Sequence, residues 1–148
     1  PIVTAEEMEA AMINHLKESE IIIMSAAVAD VKPAHYTNYK LPKKELSLNL
    51  KLESVVDILA KLGTLKKDYQ TLIGFAAQTG DIVNPALDKL KRKNLDIIVA
   101  NPIDKAEAGF GTNTNQAIFI DNKGKQETID SCSKLELAHR LLDFVKVS

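Results

Sequence analysis

The sequence predicts one α/β domain: a mostly parallel sheet, helices on both faces, and an antiparallel hairpin near the C-terminal end. Three observations carry this. Continuous apolar runs of strand length recur at 21–27, 71–77 and 96–100, the pattern of strands buried on both faces. Stretches with helical spacing of apolar residues separate them. Asp121-Asn-Lys-Gly124 is a turn signal between two short strand-like segments.

The elements follow in order. Thr4-Ala-Glu-Glu7 is a capping box, in which Thr4 caps the Glu7 amide and Glu7 reaches back. Met8, Ala11, Met12 and Leu16 then recur at helical spacing and predict an amphipathic helix over 5–18. The run 21–27 is the first buried strand. Asp30, Pro33, Asn38 and Pro42 mark 29–45 as a long irregular loop. Leu46, Leu48, Leu50 and Leu52 alternate with polar residues, the period of a half-exposed strand. Ser54 to Asp57 reads as a second capping box, opening a helix that ends near Gly63. After the strand at 71–77, Asn84 reads as an N-cap with Pro85 in the first helical position, and the helix runs to about Lys93. The third buried strand is 96–100. Segments 116–120 and 125–129 form the hairpin, and Ser133 to Glu136 caps a last helix with Leu137, Leu141 and Val145 on one face. Strands alternating with helices imply right-handed βαβ units in a three-layer, Rossmann-like arrangement. No repeat, low-complexity stretch or composition shift divides the chain.

The 148 residues suffice for one domain with a real core. Apolar residues make up 45% and charged residues 26%, ordinary for a soluble domain, which points to the cytoplasm. A net charge of −1 argues against a nucleic-acid partner held by bulk charge. The longest apolar runs are too short to span a bilayer, so no membrane partner is expected. Cys132 is the one cysteine, and His15, His35 and His139 lack metal-ligand spacing, so no protein-held metal is expected.

In open α/β sheets, ligands bind beyond the carboxyl ends of the strands. Three segments fall there: 25–30, 74–79 and 99–102. Small residues follow the buried strand in two of them, allowing a ligand close to the backbone; the alternative is plain helix packing. Asp30 can accept hydrogen bonds from ribose or a base amine, or hold Mg²⁺, although an Asx-turn is the commoner fate of a loop Asp. Lys89 and Lys93 share a helix face and can clamp a polyphosphate. Lys91 and Arg92 crowd the same turn, however, and spacing alone favours a solvated helix end. Lys40, Lys43 and Lys44 are either a mobile phosphate clamp or soluble surface. Gly109-Phe-Gly111 with Asn113 and Asn115 is a turn-rich loop without a GxGxxG or P-loop fingerprint.

Taken together, Ala26-Ala-Val-Ala-Asp30, Lys40, Asp57-Ile58-Leu59, Gly74-Phe-Ala-Ala-Gln-Thr79, Lys91-Arg-Lys-Asn-Leu-Asp96 and Val99-Ala-Asn101 resemble the phosphopantothenoylcysteine synthetase family in order and spacing. The resemblance covers nearly the whole chain. It implies a ligase domain over 1–148, in bacteria often fused behind a flavin-dependent decarboxylase. The implied reaction joins 4′-phosphopantothenate to cysteine. The substrate carboxylate attacks the α-phosphate of CTP, or of ATP in eukaryotic relatives, and the cysteine amine displaces CMP from the acyl-cytidylate. The bacterial wording of the motifs selects CTP.

The resemblance also implies site residues. Met24, Ser25 and Ala26 line the base, and Asp30 and Lys40 contact the nucleotide from the first loop. Val56, Asp57, Ile58 and Leu59 open a helix whose N-terminus faces the site, and Phe75 packs nearby. Lys89 and Lys93 match the family's phosphate lysines, which reverses the reading from spacing alone. Lys40 is the implied catalytic lysine, on a loop that can act as a lid. Mg²⁺ with CTP, a homodimer, and FMN only if a decarboxylase is fused upstream complete the expectation.

Two departures stand out. Gln78 replaces the Glu of most relatives' GFAAET motif. The family's Gly-rich opening segment, with an Asn that stabilises the acyl-nucleotide, has no counterpart, and the start at Pro1 predicts an N-terminally truncated fragment. Such a fragment is expected to bind nucleotide weakly and to turn over poorly. A nucleotide-binding module without turnover is therefore the competing reading. An NAD-dependent oxidoreductase would need a Gly-rich fingerprint after its first strand, and none is present.

Overall fold

A computed structural model describes residues 1–45, 47, 49–103 and 114–148. The order of elements is α1 (Ala5–Leu16), β1 (Ile21–Met24), β2 (Val31–Pro33), β3 (Leu52–Ser54), α2 (Ile58–Leu65), β4 (Thr71–Gln78), α3 (Val83–Arg92), β5 (Ile97–Pro102), β6 (Thr114–Asp121), β7 (Gln126–Ser133) and α4 (Lys134–Lys146). Five strands form one sheet in the order β1-β4-β5-β6-β7. β1, β4 and β5 are parallel, and β6 and β7 continue the sheet antiparallel. The fold is the expected three-layer α/β arrangement with its C-terminal hairpin.

Strand alternation divides the core between the two faces. Ile22, Met24, Leu72, Ala76, Ile98 and Ala100 face α1, α2 and α3 through Leu16, Leu59, Leu62 and Leu90. Ile73, Ile97, Val99, Phe119 and Ile129 face α4 through Leu137, Leu141 and Phe144. Phe119 and Phe144 meet edge to face at 5.6 Å.

Several boundaries differ from the sequence expectation, each for a physical reason. β1 stops at Met24 rather than at residue 27, and the small residues after it leave the sheet. It is an edge strand covered on one face only, so Ile21 and Ile23 are exposed. The loop at 29–45 contains β2 and a 3₁₀ turn at Lys43–Glu45. β2 pairs with β3 as a separate two-stranded ribbon. The alternating leucines were expected to form one strand; only Leu52 of them enters β3, Leu50 is exposed, and Leu46 and Leu48 lie outside the described residues. So does most of the loop around Gly109-Phe-Gly111.

Two caps move as well. α2 starts after Asp57, not Ser54, because the Asp57 carboxylate accepts from the Ala60 amide at 3.0 Å. α3 starts at Val83, so Pro85 falls in its third position, where a missing N–H still costs nothing. Asp81 takes the amides of Val83 and Asn84 at 3.1 and 3.3 Å and accepts from the Asn84 side chain at 2.7 Å, the work expected of Asn84. The caps at Thr4 and Ser133 stand as expected.

Gly63 was expected at the end of α2 but lies inside it, pressed against the end of α3. A Cβ there would fall 1.9 Å from the Lys93 carbonyl oxygen, nearer than any heavy atom can stand. Asn94 then turns the chain with a φ of 51° and donates from its side-chain Nδ2 to the Gly63 carbonyl at 2.7 Å. Substituting Gly63→Ala is expected to lower the unfolding free energy by roughly 2–3 kcal/mol, the cost of forcing backbone apart in a packed interior. Urea denaturation checks this, and a loss under about 0.5 kcal/mol would contradict the contact.

Candidate functional site

The carboxyl ends of β1, β4 and β5 open into a cavity of about 400 Å³. Its walls come from four places. Met24 closes the end of β1, and Ser25, Ala26 and Asp30 line the segment that follows. Val56, Asp57, Ile58 and Leu59 contribute the start of α2. Phe75 comes from β4, and Lys89 and Lys93 from the end of α3. Eleven of the twelve residues singled out from the sequence therefore share one cavity. Lys40 is the exception: it is exposed and does not line the cavity.

The walls are not equivalent. Ile58 and Leu59 are buried in the core, so what they offer the cavity is main chain. The first amides of a helix have no intrahelical acceptor and favour an anion. Ser25, Ala26 and Asp30 are exposed, and the Asp30 carbonyl accepts from the Val55 amide at 2.9 Å, tying the first loop to the entry of α2.

The cationic wall is the most organised part. Lys93 side-chain exposure is only 12%, and its ammonium donates to Asp57 Oδ1 at 2.8 Å. The same oxygen accepts the Ala60 amide, so one carboxylate caps α2 and holds the lysine. Arg92 stands 3.9 Å from the other Asp57 oxygen. Burial alone would raise the Asp57 carboxyl; the Lys93 hydrogen bond, the Ala60 amide and the Lys93 and Arg92 charges outweigh it and hold it below its ordinary value. Lys89 donates to the Phe75 carbonyl at 2.7 Å. Its burial, and then the Lys93 charge, push its ammonium below the ordinary lysine value. An ammonium carries three donors. Each lysine is thus anchored by one acceptor and keeps donors available to a ligand.

Val55, which the sequence did not single out, also lines this cavity, as do Ala77 and Asn101 from the segments 74–79 and 99–102 expected at the carboxyl ends of the strands. Ala77 and Asn101 are paired in the register of β4 and β5, a signal that needs the strand pairing to be known. A second, mostly apolar cavity of about 610 Å³ lies on the other side of residues 26–29, between the start of α1 and β2. Among the described residues no group of three His, Cys, Asp or Glu side chains stands close enough to hold a metal.

Residues 1–147 match the model of the DNA/pantothenate metabolism flavoprotein C-terminal domain. The chain belongs to this family. It is 39% identical over 142 residues to the coenzyme A biosynthesis bifunctional protein CoaBC of Bacillus subtilis, covering 96% of this chain and 35% of that protein. Against the CoaBC protein of Borreliella burgdorferi the identity is 37%, over 95% of this chain and 35% of the other. The chain thus spans about a third of the length of these curated relatives. Among solved structures, a C-terminal domain of CoaBC superposes with a TM-score of 0.76 at 34% identity, covering 99% of this chain and 65% of that one. A DNA/pantothenate metabolism flavoprotein from Streptococcus pneumoniae shares the fold, with a TM-score of 0.73 at 21% identity over 99% of this chain and 68% of that one.

Lys89 is partly buried, and desolvation followed by the Lys93 charge disfavours its ammonium in the folded protein. Replacing Lys89→Met, of similar length and neutral, is expected to raise the Tm of the unliganded protein slightly at pH 7, the lost hydrogen bond to the Phe75 carbonyl offsetting part of the gain. A lysine with a lowered folded value binds its proton more readily unfolded than folded. Stability therefore rises with pH between the lowered value and the ordinary one near ~10.4, and the advantage of K89M shrinks across that window. Melting curves of both proteins at pH 7 and pH 10 check this; a lower Tm for K89M at pH 7 would contradict it.

Proposed function

We propose that the chain is the ligase part of a coenzyme A biosynthesis protein, joining 4′-phosphopantothenate to cysteine with CTP through an acyl-cytidylate. The observation that carries this reading is the cavity that gathers Lys89, Lys93 and the start of α2 at the carboxyl ends of the parallel strands. The names of the curated relatives support the pathway.

In this reading the triphosphate lies against Lys89, Lys93 and the first amides of α2, with the nucleoside against 24–26, Asp30 and Phe75. The substrate carboxylate attacks the α-phosphate, the bond to the β-phosphate breaks, and pyrophosphate leaves. The cysteine amine then attacks the acyl carbon, the bond from that carbon to the bridging oxygen breaks, CMP leaves with that oxygen, which came from the carboxylate, and the nitrogen gives up a proton to solvent. Negative charge grows on phosphate oxygens in the first step, where fixed ammonium groups stabilise it most. Lys40 acts from the loop outside the cavity, and its approach would exclude water from the hydrolysable anhydride. Mg²⁺ enters with the triphosphate, whose oxygens are the hard ligands it favours. Val31, Leu50 and Leu52 are exposed on and beside the β2–β3 ribbon, which suits the arm of a homodimer.

Titration calorimetry with CTP and with ATP, each with Mg²⁺, tests the nucleotide site. CTP is expected to bind roughly tenfold or more tightly than ATP. Lys89→Ala and Lys93→Ala are each expected to weaken CTP by about tenfold or more, the loss of one charge-assisted hydrogen bond. Unchanged affinity in both variants would remove the assignment. CMP release with 4′-phosphopantothenate and cysteine, measured in the natural protein, tests the chemistry. Equal kcat/KM with ATP would overturn the choice of CTP, and CTP binding without CMP release would favour a non-catalytic module.

A further inference from the structure

Asp57 puts a negative charge in the middle of the cationic wall, where an incoming phosphate would also have to sit. Its Oδ1 occupies one Lys93 donor and the Ala60 amide, and its other oxygen faces Arg92. Asn caps a helix as well as Asp does, so capping alone does not require a charge at this position. Nor does holding Lys93, because the Asn side-chain oxygen accepts the same hydrogen bond. What only the carboxylate supplies is charge: it compensates Lys93 and Arg92 in the unliganded protein and repels a polyanion seated on Lys89 and Lys93.

From this geometry we infer that Asp57 is a positioning residue and resident counter-ion. It holds Lys93 ready in the empty site and sets an upper limit on affinity for bare polyphosphate. This deepens the nucleotide reading and rests on it. The consequence concerns the leaving group. Pyrophosphate carries the charge that Lys89 and Lys93 attract, yet it must depart before a second cycle. Repulsion from Asp57 weakens its hold, whereas a triphosphate complexed with a cation feels less of that repulsion. Asp57 therefore favours metal-complexed over free polyphosphate, a discrimination that the two lysines alone do not make.

The test is Asp57→Asn, with inorganic pyrophosphate as the probe. Titration without divalent cation at low salt is expected to show D57N binding pyrophosphate about tenfold more tightly than the wild type, the effect of removing one unit charge from a partly wet site. The gain should shrink at high salt. Tm should fall only modestly, because the cap is kept while the ion pair with Lys93 is weakened to a neutral hydrogen bond. In steady state, D57N should lower both KM for CTP and kcat, with pyrophosphate becoming the stronger product inhibitor. A purely structural cap would move none of these binding terms. Equal or weaker pyrophosphate binding by a folded D57N protein, shown by a cooperative melt well above the assay temperature, would overturn the inference while leaving the nucleotide reading in place. If D57N fails to fold, Asp57→Ser, which keeps a capping oxygen without charge, carries the same comparison. A wild type that binds neither pyrophosphate nor any nucleoside triphosphate would overturn both.

Discussion

The contact between α2 and the end of α3 governs the arrangement of the cavity. The backbone of Lys93 rests on Gly63, where no side chain fits, and the Asn94 side-chain amide fastens it there. From that point the Lys93 side chain runs back along α2 to Asp57 at its start. Six residues of helix span about 9 Å, within reach of a long side chain. Two helices separated by a whole strand thus meet in a single fixed geometry, and the cationic wall follows from it. Gly74 serves a related purpose in β4. A Cβ there would stand 2.7 Å from a Leu59 methyl and 2.8 Å from one of Leu95, so its absence lets both leucines seat α2 on the sheet.

The same geometry makes the charges of the site interdependent. Lys89 is held below its ordinary value first by burial and then by Lys93, while Asp57 and Asp30 pull the other way. Lys93 in turn is oriented by Asp57. Such a site trades folding stability for a set of donors already aimed at a ligand, the usual compromise in preorganised anion sites.

Much of the fold was legible because its signals are local or periodic. The three apolar runs became β1, β4 and β5, the Thr4 and Ser133 caps act as their sequence suggests, and the Asp121–Gly124 turn joins β6 to β7. The misplaced caps at Ser54 and Asn84 show the limit. Asp57 and Asp81 compete for the same helix starts, and tertiary partners, Lys93 for Asp57, decide between candidates that look alike in sequence. The exposure of Ile21 and Ile23 was illegible for a similar reason, since an apolar run does not reveal which strand lies at an edge. For the site, the spacing of Lys89 and Lys93 placed them on one face, but their anchors, the Phe75 carbonyl and Asp57, are 14 and 36 residues distant. The motif resemblance brought the remaining residues together, and the register of β4 with β5 sets Asn101 beside Ala77 among them.

At the far end of the sheet, Asp96 ties distant parts of the chain together. Its carboxylate accepts from Lys66 through both oxygens at 2.8 Å, from the Leu72 amide at 2.7 Å and from the Asn122 side chain at 3.2 Å. Its carbonyl takes the Asn122 amide at 2.9 Å. The turns after α2, before β5 and between β6 and β7 are thereby knotted at one residue. Gln70 adds a fourth tie, donating to the Leu16 and Ser19 carbonyls behind α1. This gives the domain two ends of different evolutionary plasticity. Loops at the knotted end cannot lengthen without leaving buried partners unsatisfied. The loop at 25–30, beside the cavity, is largely exposed and is tied to β3's end chiefly through the Asp30 carbonyl, so new residues can be spliced in there while the frame stays intact.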